Sequence, residues 1–352
     1  MKRIIKFKYR ILVLTIEITT LILIALLTYN FLSIPQKKST FFLPSSDIST
    51  LLKTLNTNGY KTYTLDNILV YFITLPQKGW YHLDGSSEGR FSFFNTLHQK
   101  KTKTMQVVVF AGETRMELTR RLANDMKLDQ TKLLNAYQNR TLFKEADILS
   151  GRYILARSAD ENTTIDYLFD ISNKVFKKFS RTYCNQIPDM LELNVLLIMA
   201  SIIQKESNNV EEMPLISSVI YNRLEKGMRL QMDGTLNYGE YAHTIVTPER
   251  IKSDESYYNT YKHKGLPPAP LGTISIEALK AAYRPKESNY LFFMLQKDGT
   301  HSFAHTYKEH INNIRIFREA SKEGNTTLDM NLTHTEKLPI KSTTKNKKIL
   351  NN

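Results

Sequence analysis

One cysteine, Cys184, in 352 residues excludes an intrachain disulfide, and its simplest role is that of a small apolar side chain. The chain also lacks a glycine-rich phosphate loop and a nucleophile elbow, so nucleotide binding and serine or cysteine nucleophilic catalysis have no support. His301, His305 and His310 are spaced by 4 and 5 residues, which fits no established metal motif, and no cofactor is expected. His301 reads instead as a structural or substrate-side polar group. The net charge is +14, yet no run of lysine or arginine produces it. Five positive residues lie in the first ten, the tail from Lys322 has six lysines against three acids, and the rest is scattered. Such scatter argues against a nucleic-acid partner and for an anionic envelope polymer or lipid surface.

Long hydrophobic runs are also scarce: there is one. Ile11 to Leu27 is interrupted only by Glu17 and three threonines, and with Thr28 to Ile34 it reaches the roughly 20 residues that cross a hydrocarbon core. Lys2, Arg3, Lys6, Lys8 and Arg10 precede it, which places the N-terminus in the cytoplasm by the positive-inside bias. A cleaved signal peptide is the competing reading. It calls for a shorter apolar core and a small-residue cleavage site, whereas the exit reads Tyr29-Asn30-Phe31-Leu32-Ser33-Ile34-Pro35. The expectation is a basic cytoplasmic tail (1–10), an uncleaved anchor (11–32) in the inner, cytoplasmic membrane, and an extracytoplasmic remainder.

That remainder reads as α+β. A small membrane-proximal module is expected over 35–105, with a helix from Ser46 to Leu55 and β-prone runs such as Val70-Tyr71-Phe72-Ile73. A mixed helical and β domain follows over 106–320, and a disordered tail over 321–352. Within the larger domain, a strand is expected from Gln106 to Phe110 and a capped helix from Thr114 through Leu118, Leu122 and Met126. Further helices are expected over Gln130–Asn139, Thr164–Phe176 and Ile276–Tyr283, and a strand over Tyr290–Leu295. Leu193 to Ile203 is apolar nearly all round, the mark of a helix buried in a core. The next helix opens with Glu211, Glu212 and Pro214 and is closed by Gly227.

Glu206 stands out because it ends that buried helix. Desolvation and the negative end of the helix dipole both disfavour its charged form, which suits a carboxylic acid that must donate a proton near neutral pH. A solvated helix-end glutamate is the plainer alternative. Beyond it, Arg223, Gln231, Asp233 and Thr235, then Tyr258, Asn259 and Tyr261, mix aromatic faces with amide, hydroxyl and charged groups. Such mixtures suit sugar rings and also occur in ordinary loops.

These pieces resemble the MltG/YceG-like endolytic murein transglycosylases. The resemblance runs through Ala200-Ser201-Ile202-Ile203-Gln204-Lys205-Glu206, Asn222-Arg223-Leu224, Gly227 to Asp233, Tyr258 to Tyr261, Gly265-Leu266-Pro267-Pro268 and Gly299-Thr300-His301-Ser302-Phe303. It implies that Glu206 is the catalytic acid cutting the MurNAc–GlcNAc β-1,4 bond, with the C6 hydroxyl of the same MurNAc as acceptor and a 1,6-anhydro end as product. It further implies peptidoglycan strands as substrate, glycan polymerases or penicillin-binding proteins as partners, and a LysM-like character for the first module. A non-catalytic peptidoglycan-binding scaffold and a lysozyme-like hydrolase are the alternatives. Three departures from the family pattern stand out: Gly234 where proline is usual, Gly112-Glu113 for a Glu-Gly pair, and Ser150-Gly151 for another. None is expected to touch Glu206.

Overall fold

The computed structural model describes residues 2–34, 39–85, 89–184 and 188–319. The tail expected to be disordered lies outside them. Helix α1 (Lys2–Phe31) carries the apolar run and absorbs the basic start into the same helix. Its stretch Ile5–Phe31 is long and apolar enough to cross a membrane, and the most apolar part of it is not buried against the rest of the described chain. The hydroxyls of Thr19, Thr20 and Thr28 donate to carbonyls one turn back, so these polar groups are satisfied within the helix.

Two β-α-α-β units follow. In the first, β1 (Ser39–Leu43) pairs antiparallel with β2 (Gly79–Leu83), with α2 (Ile48–Thr57) and α3 (Asp66–Tyr71) between them. Helix α4 (Arg90–Leu97) then packs against α3 and the end of α1. In the second unit, β3 (Thr104–Val109) pairs antiparallel with β4 (Gly151–Ala156) around α5 (Arg115–Met126) and α6 (Gln130–Arg140). The expected cap at Thr114 is present, and it is a full capping box: Thr114 and Glu117 satisfy each other's backbone N–H groups at the start of α5. Helix α7 (Glu161–Tyr183) extends beyond its expected span at both ends.

The β-prone run at 70–73 is not a strand. Val70 and Tyr71 end α3, because Asp66 and Val70, one turn apart, both face inward. Asp66 forms an ion pair with Arg90 at 2.6 Å, and both side chains are shut off from solvent. Strand propensity is a weak preference that such a tertiary contact overrides. The Arg90 guanidinium also donates to the carbonyls of Leu32 and Lys61 at 3.0 and 2.7 Å, while Tyr29 donates to Asp66 at 2.9 Å. The end of α1 is thereby bonded to the first unit.

The second unit packs against the first through the rings of Phe42, Trp80 and Tyr167, and Trp80 Nε1 donates to the Ile154 carbonyl at 2.7 Å. Beyond α7, the core is organised on α8 (Met190–Glu206), buried continuously from Leu196 to Gln204. Against it lie α9 (Met213–Glu225), the short α10 (Asp233–Leu236) and α12 (Ile276–Tyr283). A 3₁₀ turn (Gly239–Tyr241) and α11 (Pro248–Ser253) interrupt the long loop after α9. The hairpin of β5 (Phe292–Leu295) and β6 (His301–Ala304) and a helix over 307–319 complete the described chain. The two polar side chains in the buried stretch of α8 are both engaged. Ser201 Oγ accepts from the Leu271 N–H at 3.0 Å, and Gln204 Oε1 accepts from Ser275 Oγ at 2.6 Å. They fix residues 271–275, on which the second unit docks: Gly112 N–H donates to the Thr273 carbonyl and Thr273 N–H to the Glu113 carbonyl, each at 2.8 Å. Gly272 must be glycine here, since a Cβ would come within 2.8 Å of the Glu113 carbonyl oxygen.

Replacing Arg90 with methionine leaves Asp66 buried without its partner, a change that typically costs about 3–5 kcal/mol. Hydrogen exchange should show residues 39–97 opening far more readily in Arg90→Met. Protection equal to that of the parent chain would mean that the pair does not hold this unit together.

Candidate acid–base site

Glu206 is the last residue of α8 and is half-buried. Its Oε1 accepts a hydrogen bond from the backbone N–H of Gly234 at 3.0 Å. Burial pushes its pKa up to about 7; the Gly234 N–H and the charge of Arg223 oppose this, while the charge of Asp233 adds to it. The carboxyl end of the helix dipole acts in the same direction as burial. A group so placed can give up a proton and take one back near neutral pH.

Gly234 therefore touches Glu206 directly, which corrects the expectation that the departures lie clear of it. There is no room for a side chain: a Cβ on Gly234 would lie 2.6 Å from the Lys205 Cβ and 2.8 Å from Glu206 Oε1. A proline at this position would also lack the N–H that meets the carboxylate.

The expected sugar-side residues fall into two groups. Asp233 is exposed and Tyr261 half-buried, both near enough to Glu206 to interact with its charge, and the Tyr261 hydroxyl donates to Asp233 at 2.6 Å; Gln231 is exposed. Gln231 adopts a left-handed backbone (φ 51°), and its N–H donates to the Thr260 carbonyl at 3.1 Å. Tyr258 stacks on Tyr238 with ring centroids 4.7 Å apart. The others are interior supports. Thr235 is buried and shares a 3.0 Å contact between hydroxyls with Thr260. Asn259 is buried and donates to the carbonyls of Ile251 and Asp254 at 2.9 and 2.7 Å. Arg223 is buried, donates to the carbonyls of Leu291 (2.6 Å) and Leu230, and lies over the Phe292 ring. Arg223 and Thr235 hold the stretch that carries Asp233 and Gly234, Asn259 braces the neighbouring 251–261 loop, and Arg223 adds positive charge near Glu206.

Sequence reasoning missed a second buried acid. Glu145, on the loop before β4, accepts from the Arg115 N–H at 2.8 Å and from the Tyr238 hydroxyl at 3.4 Å. Burial pushes its pKa up to about 7, against the Arg115 N–H and the Arg115 charge. Lys205 lies close enough to Glu117 and Glu145 to feel both charges, and burial pulls its own pKa down. Nothing in the local sequence Lys144-Glu145-Ala146-Asp147 separates it from an ordinary loop. An open cavity of about 470 Å³ is lined by Thr235, Tyr238, Tyr241, Arg250 and Tyr258, at the end of α10. His301 is a structural group: its N–H and Nδ1 meet the two carboxylate oxygens of Glu212 at 2.8 and 2.7 Å, tying β6 to the start of α9. His305 and His310 stack on Tyr290 and Phe292. No group of three or more metal-ligating side chains occurs among the described residues.

A half-buried carboxylic acid at the end of a core helix, with a tyrosine and a carboxylate beside it, has the make-up that acid–base chemistry on a polar substrate calls for. The YceG-like family model matches residues 44–316, and the chain belongs to that family. It is similar to an endolytic murein transglycosylase of Bacillus subtilis (strain 168), with 25% identity over 260 residues that span 66% of this chain and 71% of that protein. A protein of the same description from Streptococcus pneumoniae (strain D39) is 32% identical over 164 residues. That match covers 45% of this chain and only 30% of the pneumococcal protein. A solved yceG-like protein from Listeria monocytogenes superposes with a TM-score of 0.51 at 25% identity, covering 79% of this chain and 99% of that one.

Gly234→Ala should destabilise the chain by about 1–3 kcal/mol, the usual cost of forcing atoms into a filled space. The denaturation midpoint reads this directly; an unchanged midpoint would mean that the loop yields without cost.

Proposed function

We propose that this chain is an endolytic lytic transglycosylase of peptidoglycan, with Glu206 as its single acid and base. The observation that carries the reading is the half-buried Glu206 at the end of α8, held by the Gly234 N–H and pushed by burial to a pKa of about 7, beside a stretch of sugar-compatible side chains. The names of the Bacillus and Streptococcus relatives support the same substrate. Glu206 gives its proton to the glycosidic oxygen of a MurNAc–GlcNAc β-1,4 bond as the bond from MurNAc C1 to that oxygen breaks. The C6 hydroxyl oxygen of the same MurNAc then bonds to C1, and its proton returns to Glu206. No water is consumed, and the product ends in 1,6-anhydroMurNAc. The substrate's N-acetyl group stabilises the electron-poor C1 between the two events. Asp233, held by Tyr261, and the ring of Tyr258 bind and orient the strand, while Arg223 and Thr235 keep the Asp233 stretch in place and Asn259 braces the 251–261 loop that carries Tyr258 and Tyr261.

The rest of the reading concerns place. Helix α1 serves as a single-pass anchor that puts the domain outside the cytoplasm, where cutting nascent strands ends their elongation. Glycan polymerases or penicillin-binding proteins are the partners that such a role requires. The β-α-α-β order of the first unit supports a LysM-like, glycan-facing module.

Digestion of purified peptidoglycan tests the chemistry. The parent chain should release internal fragments with anhydro ends, about one water lighter than hydrolysis products. Glu206→Gln should lower cleavage by about 10² or more, since it keeps the shape but carries no proton to give. Asp233→Asn should weaken activity and leave the anhydro ends unchanged. Reducing MurNAc ends from the parent chain would instead make it a muramidase with Asp233 positioning the water, because paired carboxylates are what hydrolysis requires.

A further inference from the structure

The first unit carries an apolar face that none of the described residues covers. Leu65, Ile68, Tyr71 and Phe72, at helical spacing along α3 and its flanks, are 51, 54, 75 and 76% exposed, and Phe91 at the start of α4 is 47% exposed. From Thr62 to Ile73 the only charged residue is Asp66, which points inward to Arg90. So α3 is apolar on two sides: Val70 enters the core, and the opposite side meets solvent. Apolar surface of this kind marks a contact with something outside the chain.

Its position says what that is. The hydrogen bond from Tyr29 to Asp66 and the bond from Arg90 to the Leu32 carbonyl hold α3 beside the last turn of α1. The N–H of Phe91 donates to the Asn30 side chain at 2.8 Å, which fixes α4 there as well. Residues 11–31 of a helix measure about 31 Å, close to the thickness of a hydrocarbon core. The residues bonded to Tyr29, Asn30 and Leu32 are then level with the boundary between acyl chains and headgroups. Tyrosine and phenylalanine without neighbouring charge suit that layer.

We propose that the exposed face of α3, with Phe91, lies in the outer headgroup–acyl boundary of the bilayer that α1 crosses. The first unit then rests on the membrane, with its contact continuous with the anchor. The proposal depends on the anchor reading of α1, and the experiment separates the two.

The full chain with Phe72→Trp is placed in nanodiscs of phosphatidylethanolamine and phosphatidylglycerol, with or without a lipid carrying a nitroxide near the top of its acyl chain. Trp80, the one native tryptophan, is buried in the protein and supplies the baseline. The new indole should emit at shorter wavelength than in water and lose most of its emission with the nitroxide lipid; Ile68→Trp should behave alike. Retention of the parent chain in carbonate-washed membranes tests the anchor by itself. A retained chain whose introduced indole in Phe72→Trp is unquenched and water-like overturns the proposal and leaves the anchor standing. Blue-shifted but unquenched emission also overturns it, since a protein rather than lipid would then cover the face. Release of the parent chain by carbonate removes both.

Discussion

Everything in the larger domain depends on α8 being buried on all sides as far as Gln204. A helix so enclosed can be apolar along its length, and it delivers its last residue to the core's edge, where protein gives way to solvent. Glu206 occupies that edge. The same burial that stabilises the helix penalises a charged carboxylate at its end, so packing and acidity have one cause. The surrounding polar contacts serve this placement. Ser201 and Gln204 hold the 271–275 segment, and that segment in turn receives the Gly112–Glu113 turn of the second unit.

The loop carrying Asp233 and Gly234 faces an opposing demand. It must approach the carboxyl group closely enough to hold it, yet a bond to the charged form favours ionisation. The single Gly234 N–H is a moderate compromise: it orients Oε1, and burial still dominates the acidity. Glu145 repeats the pattern across Lys205, so two acids with raised pKa values and a lysine with a lowered one share the region around the end of α8. Arg223, although buried, directs its Nε and Nη1 to backbone carbonyls, and its influence on Glu206 is through charge.

Much of this was legible in the residue pattern, and what was not has physical reasons. The Thr114 cap of α5, the burial of α8 and the Ile276–Tyr283 helix depend on local chemistry or on a long period, which sequence displays. The run at 70–73 misled because strand propensity was read without the buried Arg90–Asp66 pair, a contact between residues 24 apart. Thr235 and Asn259 looked like sugar-binding groups, because a polar side chain that braces a loop has the same composition as one that meets a ligand. The role of Gly234 and the burial of Glu145 exist only once distant segments are brought together. The same holds for the apolar outer side of α3, which in sequence is indistinguishable from core.

The central claim is that burial at the end of α8 holds a proton on Glu206 near neutral pH. A carboxyl-carbon NMR titration of the full chain, labelled at glutamate and assigned by comparison with Glu206→Gln, measures this directly. The resonance lost in that variant should titrate with a midpoint near 7. A midpoint near the ordinary glutamate value of 4.5 would show an ionised, solvated group and contradict the account.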